Sequence, residues 1–273
     1  GEHAPSWYAA SLPAPPERAA LDGDTRADVA VLGAGFTGLW AALTLARAGR
    51  RVVVLDAHRV GFGASGRNGG QVHSGFNKSQ AWLTDRLGRE RARALWHLSE
   101  AAKAQLREFC EAHAPEAAFR PGIAHGEYNA RDLADLRREA EFLEREYGYA
   151  SRILEGDDFR ALVKSPRYVG GGVDPGGGHL HPLAYAFALA REAEAAGAII
   201  HERTEVTAIR PGNPVRLETS SGTVTAGDAI IAGNGYLPGL LPAVASRVMP
   251  INSFIAATEP LPGRWQDVLD EDI

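Results

Sequence analysis

Residues 27–56 read ADVAVLGAGFTGLWAALTLARAGRRVVVLD, and the reading of this stretch decides the fold. Val29, Ala30, Val31 and Leu32 form the short apolar run that a strand buried on both faces needs. It leads directly into the turn Gly33-Ala34-Gly35-Phe36-Thr37-Gly38. The helix expected over Leu39–Ala48 is rich in alanine, a strong helix former small enough to pack closely on a sheet, and Gly49 supplies its C-terminal stop. A second strand, Arg51–Leu55, ends at Asp56. Strand, glycine turn, helix, strand and terminal acid stand in the order of the dinucleotide-binding fingerprint.

The mechanics of that fingerprint assign each glycine a task. Gly33 permits the tight turn, Gly35 lets a pyrophosphate approach the backbone, and Gly38 lets the helix sit close to its strand. A helix N-terminus carries roughly half a positive charge, so its unpaired N–H groups attract an anion. Asp56 lies near the ~20-residue offset at which a carboxylate meets a ribose hydroxyl, and an acid there favours an unphosphorylated adenosine ribose.

Working outward, the 273 residues with 45% hydrophobic composition are enough for a sizeable core in one large domain or two modest ones. A formal net charge of -5 gives no electrostatic case for nucleic acid or an anionic membrane surface. The charged run Arg86–Arg93 reads as a solvated helix face. The single cysteine, Cys110, rules out an internal disulfide and a multi-cysteine metal site, and fits a reducing, cytoplasmic compartment. Its neighbours Leu106, Phe109 and Ala112 point to a buried, inert thiol. No apolar run approaches the ~18 residues of a membrane span.

Glu2–Arg26, with Pro5, Pro13, Pro15 and Pro16, is expected as an extended arm pinned by Trp7 and Tyr8. After Asp56, the run through VGFGASGRNGGQ (60–71) has no room for a hydrophobic face and reads as a loop. Helices are expected over Lys78–His113, broken near Gly88, and over Ala130–Tyr147, where Leu133, Leu136, Ala140, Leu143 and Tyr147 make one apolar stripe. Phe119–Tyr128 reads as a strand interrupted at Pro121-Gly122, and Tyr168–Asp174 as a strand closed by a turn at Pro175-Gly176-Gly177-Gly178. Pro182 starts a helix to Ala196. Strands follow at Ala198–His201 and Val206–Ile209, a hairpin at Val215–Thr219 with Thr223–Thr225, and a strand at Ala229–Ala232. Ile251–Thr258 reads as the first strand of a further layer. The chain stops without completing that layer, so a truncated C-terminus is expected.

The residues now in view resemble the flavin-dependent amino acid and amine oxidase family, and within it the gamma-glutamylputrescine oxidase-like group. SWYAAS (6–11), GAGFTG (33–38) and VGFGASGRNGGQ (60–71) carry the resemblance, with weaker similarity at His179-Leu180-His181-Pro182, Thr204-Glu205-Val206 and from Ile231-Ala232-Gly233-Asn234-Gly235 to Leu261. The resemblance implies an α/β fold, with an FAD-binding Rossmann-like domain of the glutathione reductase type and the start of a mixed-sheet substrate domain. The implied division is an arm at 1–26, an FAD domain from 27–76 and 160–240, a helical insertion with substrate-domain elements at 77–159, and the start of a further substrate-domain segment at 241–273.

By the same resemblance, Gly33, Gly35, Phe36, Thr37 and Gly38 hold the FAD pyrophosphate, Asp56 meets the adenosine ribose, Ala64 and Ser65 meet phosphate, and Ala57 and Gly63 are also cofactor-binding. Asn68, Gly69, Gly70 and Gln71 run beside the isoalloxazine ring, the Val206 backbone reads adenine, and Ala232 and Gly233 close the site. Some relatives bind the flavin covalently through a His near position 68 or a C-terminal Cys. Asn68 cannot form that bond and Cys110 matches no such position, so FAD is expected non-covalent. The implied reaction takes a small-molecule amine to its imine with O2 as the electron acceptor.

Such chemistry leaves no obligatory acid–base side chain to find. His73, His125, His179 and His181, without a paired carboxylate or metal spacing, read as structural. Two other readings compete. An NAD-dependent dehydrogenase would use the same turn and acid, although a helix rather than the GASGRNGGQ loop would then follow Asp56; the other is a non-catalytic dinucleotide-binding remnant.

Overall fold

Starting from the N-terminus, the arm carries one turn of helix, α1 (Trp7–Ala10), capped by the Ser6 hydroxyl, before the fingerprint unfolds as β1 (Thr25–Leu32), α2 (Phe36–Arg47) and β2 (Val52–Leu55). The computed structural model describes residues 2–237 and 239–270. A short antiparallel strand, β3 (Gln71–Val72), then leads to α3 (Gln80–Leu87) and the long α4 (Arg89–His113). Gly88 separates the two helices at a φ of +84°, a value L side chains avoid, so the break falls where the sequence puts it. There follow β4 (Arg120–Glu127), α5 (Ala130–Tyr147), β5 (Arg152–Glu155), α6 (Gly156–Leu162) and β6 (Gly170–His179). The remaining elements are α7 (Pro182–Ala195), β7 (Ile199–His201), β8 (Val206–Arg210), β9 (Val215–Thr219), β10 (Thr223–Ile231), one turn of helix, α8 (Pro242–Ala245), and a 3-10 turn, Trp265–Asp267.

The chain divides into two compact units, Gly1–Asn68 with His181–Ala256 and Gly69–Leu180 with Ala257–Ile273. The first holds a six-stranded sheet in the order β7-β2-β1-β10-β9-β8, with β7, β2, β1 and β10 parallel and β9 and β8 antiparallel. Ala30, Val53, Leu55, Leu217, Val224 and Ala226 cluster on one face. Side chains alternate along a strand, so Val31, Val52 and Val54 point to the other face, where the Val31 methyl lies under Gly38 of α2. Ala42 and Ala46 of α2 and the buried alanines of α7 keep these helices close to each other and to the strands. Each large aliphatic side chain buried here contributes about 1.5–3 kcal/mol.

The second unit is built on β6, which pairs with β4 along one edge and with β3 and β5 along the other, all antiparallel. Two expectations change here. Pro175-Gly176-Gly177-Gly178 is strand rather than turn, because a side chain on Gly177 would meet Ile123 Cγ2 at 2.8 Å and one on Gly178 would meet Phe119 Cζ at 2.5 Å. These glycines let neighbouring strands and rings close in. Residues 69–76 and 160–180, expected in the nucleotide domain, lie in this unit because Gln71 and Val72 pair with His179 and Gly178 of β6.

Other differences are local. The expected strands at Thr223–Thr225 and Ala229–Ala232 are one strand, β10, held along its length by β1. β5 and α6 were not anticipated. Ile251–Thr258 forms no strand: no partner strand among the described residues pairs with it, and Ile251 and Phe254 are exposed. Further on, Lys164 N donates to Val268 O and Asp270 N to Leu162 O, which joins the last described residues to the end of α6. The expected last segment ends in residues 271–273, outside the described residues. Cys110 is buried as expected, and burial pushes its thiol up to about 11.

Candidate nucleotide site

At the C-terminal ends of β1, β2 and β10 the first unit opens a cavity of about 370 Å³. Ligands of doubly wound sheets bind at this edge, outside the carboxyl ends of the strands. Backbone hydrogen bonds tie the strand ends around it: Gly33 N donates to Leu55 O at 2.8 Å, Ala232 N to Leu32 O at 2.8 Å and Thr204 N to Asp56 O at 2.8 Å. Gly33 takes a φ of +103°, and a Cβ there would lie 2.6 Å from Ala232 O. Only glycine fits that crossing.

Asp56 is held from two sides. Its Oδ2 accepts the Ala34 N–H at 2.7 Å and its Oδ1 the His58 N–H at 2.8 Å. Burial raises its pKa above the usual carboxylate range, and these two backbone bonds pull it back only in part. An ionised carboxylate has about four acceptor positions, so each oxygen keeps capacity for a hydroxyl donor in the cavity. Opposite stands Ser65, whose Oγ accepts the Phe36 N–H at 3.0 Å. Gly35 caps α2 without a side-chain hydrogen bond, and a Cβ on it would come within 2.8 Å of Ser65 Oγ. The open first turn of a 12-residue helix is a place for an anion.

Of the expected cofactor residues, Gly33, Gly35, Asp56, Ala57, Gly63, Ala64, Ser65, Val206, Ala232 and Gly233 line this one cavity. Phe36, Thr37 and Gly38 do not. Phe36 offers its N–H to Ser65, and Gly38 serves packing, since a Cβ there would collide with Gly33 O. Asn68 is also outside the lining and donates Nδ2 to Ala64 O at 3.0 Å and Ser65 O at 2.9 Å, bracing the loop from behind. Gly69, Gly70 and Gln71 belong to the second unit and do not line the cavity.

The lining also holds residues that sequence reasoning passed over: His58, Phe62, Thr204, Glu205, Asn234, Tyr236 and Leu240 among them. The signals for some of them were the Thr204-Glu205 pair before Val206, the 60–71 loop that carries Phe62 and the Gly233-Asn234-Gly235-Tyr236 run after β10. Asn234 turns there at a φ of +50°, and Tyr236 lies so close to Gly63 that a Cβ would be 3.0 Å from its ring. His58 and Phe62 stack with centroids 3.8 Å apart, and the Arg67 guanidinium caps Phe62 at 4.4 Å.

Behind the loop sits a buried ionic cluster that no motif announced. Glu202 is fully buried and accepts the Val60 N–H at 2.9 Å. It also pairs with Arg59 at 2.6 Å and with Arg18 at 3.3 Å, and Arg18 in turn is held by Glu194 at 2.7 Å. This cluster fixes the segment that carries His58 to the end of β7. Among the histidines, His181 is structural: its Nδ1 accepts the Ala184 N–H at 3.1 Å and caps α7. His125 pairs with Glu127 at 3.2 Å.

The segment after Asp56 is made of turns and a single 3-10 turn, Ala64–Gly66, where an NAD domain would continue into a helix. The glycine turn, helix N-terminus, Asp56 carboxylate and close backbone approach at Ala232 suit a dinucleotide with a pyrophosphate and an unphosphorylated adenosine ribose. Among the described residues, no His, Cys, Asp and Glu groups come together to hold a metal, and no helix is long and apolar enough to cross a membrane.

Comparison with known proteins gives the same direction. The family profile described as DAO, FAD dependent oxidoreductase, matches residues 28–272. A probable oxidoreductase OrdL of Rhizobium meliloti is 42% identical over 94% of this chain and 61% of its own length. A gamma-glutamylputrescine oxidoreductase of Escherichia coli is 37% identical over 95% of this chain and 61% of its own. The chain thus spans 61% of the length of either relative. The crystal structure of glycine oxidase from Geobacillus kaustophilus superposes with a TM-score of 0.64 at 27% identity, over 81% of this chain and 58% of that one.

Proposed function

The chain belongs to the DAO family of FAD-dependent oxidoreductases, and from that premise we propose that its first unit holds FAD non-covalently in the cavity at the end of β1. We further propose that the whole protein oxidises the C–N bond of an amine to an imine, which water then hydrolyses. When bound, FAD supplies the two-electron acceptor, and O2 is the terminal one. The N–H groups of the first turn of α2 take the pyrophosphate, the free acceptor positions of Asp56 take the ribose hydroxyls, and the Val206 backbone takes adenine. The observation that carries this reading is the convergence of Gly33, Gly35, Asp56, Ser65, Val206 and Ala232 on one cavity of a single unit.

The substrate proposed is an amine with a distal polar or charged group, of the kind named for the Escherichia coli relative, acted on in the cytoplasm. Discrimination of such a group needs polar contacts far from the reacting bond. Anaerobic bleaching of the flavin, followed as amines and amino acids are added, tests it. Bleaching by glutamylated polyamines supports the reading. Bleaching by sarcosine, glycine or D-amino acids alone moves the protein to another branch of the family, and no bleaching by any amine favours a non-catalytic dinucleotide-binding scaffold.

A further inference from the structure

We infer that the N-terminal arm is a working part of the nucleotide site: residues 2–21 strap the segment His58–Val60 and so set the carboxylate of Asp56, although no arm residue lines the cavity. For its ligand the inference rests on the FAD reading. The strap itself is a matter of this chain's own contacts.

Its knot is Arg59, which is 5% exposed and stands between two anchored amides. On one side the His58 N–H donates to Asp56 Oδ1, and on the other the Val60 N–H donates to Glu202 Oε1. The Arg59 guanidinium uses all three of its nitrogens. Nε lies 2.6 Å from Glu202 Oε2, while Nη1 reaches Glu2 Oε2 at 3.3 Å and Nη2 reaches the carbonyls of Pro15 and Pro16 at 3.3 and 3.4 Å. One nitrogen therefore serves the end of β7, and two serve the arm. Proline has a fixed φ, so the Pro15-Pro16 pair presents its carbonyls from a stiff backbone.

Two further ties hold the arm to the same wall. Arg18 lies between Glu202, at 3.3 Å, and Glu194 of α7, which it meets with two nitrogens at 2.7 and 2.8 Å. Leu21 is buried in the core, and its N–H donates at 3.0 Å to Oγ1 of Thr204, a residue of the cavity lining. Thr204 N in turn donates to Asp56 O, and Arg203 N to His58 O. The arm thus grips both backbone segments that bring Asp56 and Val206 to the cavity. Lifting it would strip Arg59 of its Pro15 and Pro16 acceptors and Glu202 of Arg18, and buried charged groups resist such a loss.

Arg59→Lys separates the strap from the ion pair, because one ammonium keeps Glu202 paired but cannot also span Pro15, Pro16 and Glu2. In the chain without FAD, amide exchange followed by NMR should be about tenfold faster at His58 and Val60 in this variant, with Ala42 of α2 and Val54 of β2 unchanged. FAD titration, read by flavin fluorescence, should show affinity about tenfold weaker than the parent's. In an Asp56→Ala background the same substitution should change FAD affinity by less than about twofold, because the group that the strap orients is gone. A general loosening of the fold would weaken both backgrounds alike. Arg18→Lys, which cannot span Glu194 and Glu202 together, should act in the same direction and decides the matter if Arg59→Lys does not fold. Unchanged exchange at His58 and Val60, undiminished FAD affinity, or equal loss in both backgrounds overturns the inference. If the parent itself takes up no FAD, the flavin reading falls, and the exchange measurement alone decides the strap.

Discussion

Around Gly33 and Gly35 of the first unit, the missing side chains leave a turn open to the cavity, with Ala232 O and Ser65 Oγ at its rim. Around Gly170, Gly176 and Gly178 of the second unit a Cβ would be blocked just as closely, but by the packed side chains of Leu133, Tyr149 and Phe119 rather than by groups at the rim of the nucleotide cavity. The same residue type therefore makes a ligand cradle in one unit and a close-packed sheet in the other. What separates them is the neighbouring pattern. A cradle glycine follows a buried parallel strand and precedes a helix, whereas a packing glycine lies within a strand flanked by aromatic and branched residues on other strands.

The largest effect expected concerns neither kind of glycine but the charge cluster that braces the cradle. Glu202→Ala leaves Arg59 and Arg18 in a buried site without their shared carboxylate, and should cost about 3–5 kcal/mol of stability, read as a lower urea midpoint. A midpoint within experimental error of the parent would mean that the cluster does not hold the loop. Next is Gly171→Val, which drives a side chain into the Phe159 ring, where Cζ already stands 2.5 Å from an added Cβ. Overpacking of this kind costs about 1–3 kcal/mol, and it should appear as lost near-ultraviolet ellipticity and a lowered melting temperature.

Much of the first unit was legible because its physics is local and repeated. Val29–Leu32, the glycine turn and the alanine-rich helix each specify one element, and those elements fix where Asp56, Ser65 and Ala232 meet. The second unit was legible in its helices, where Ala130–Tyr147 shows its stripe, and in β4, expected over Phe119–Tyr128 with an interruption at Pro121-Gly122, where its register with β6 shifts. β6 was misread at Pro175–Gly178 because glycine and proline signal turns in isolation, while here the strand runs through a register shift to Gly178, which pairs with Val72 of β3 and Pro121 of β4. Glu202 was missed for a related reason. Its role depends on Arg18 and Arg59, which lie far from it in sequence, and no spacing rule connects them.

A smaller effect is expected at Asp56. Asp56→Ala removes the acceptors proposed for the ribose and should weaken FAD by ~1–3 kcal/mol, measured by flavin fluorescence titration. Its pH signature is smaller again. The folded-state pKa of Asp56 is raised, so between the ordinary value near about 3.9 and the raised one the folded chain binds more protons than the unfolded chain. The contribution of Asp56 to stability therefore falls as pH rises through that window. Asp56→Asn lacks this slope, so the difference between parent and variant urea midpoints should change with pH across that window; a pH-independent difference would show that Asp56 is solvated in the folded chain.

The central claim is that the glycine turn after β1 leaves room for a pyrophosphate at the start of α2. Titrating FAD into the parent chain and into Gly35→Val, with circular dichroism recorded on both apo proteins, tests it most directly. The account requires that Gly35→Val keep the parent's secondary structure, since Ser65 Oγ, the group nearest the new side chain, is a movable hydroxyl, and that it bind no FAD. A folded Gly35→Val chain that takes up FAD with the parent's affinity would contradict the account, because the pyrophosphate would then lie elsewhere.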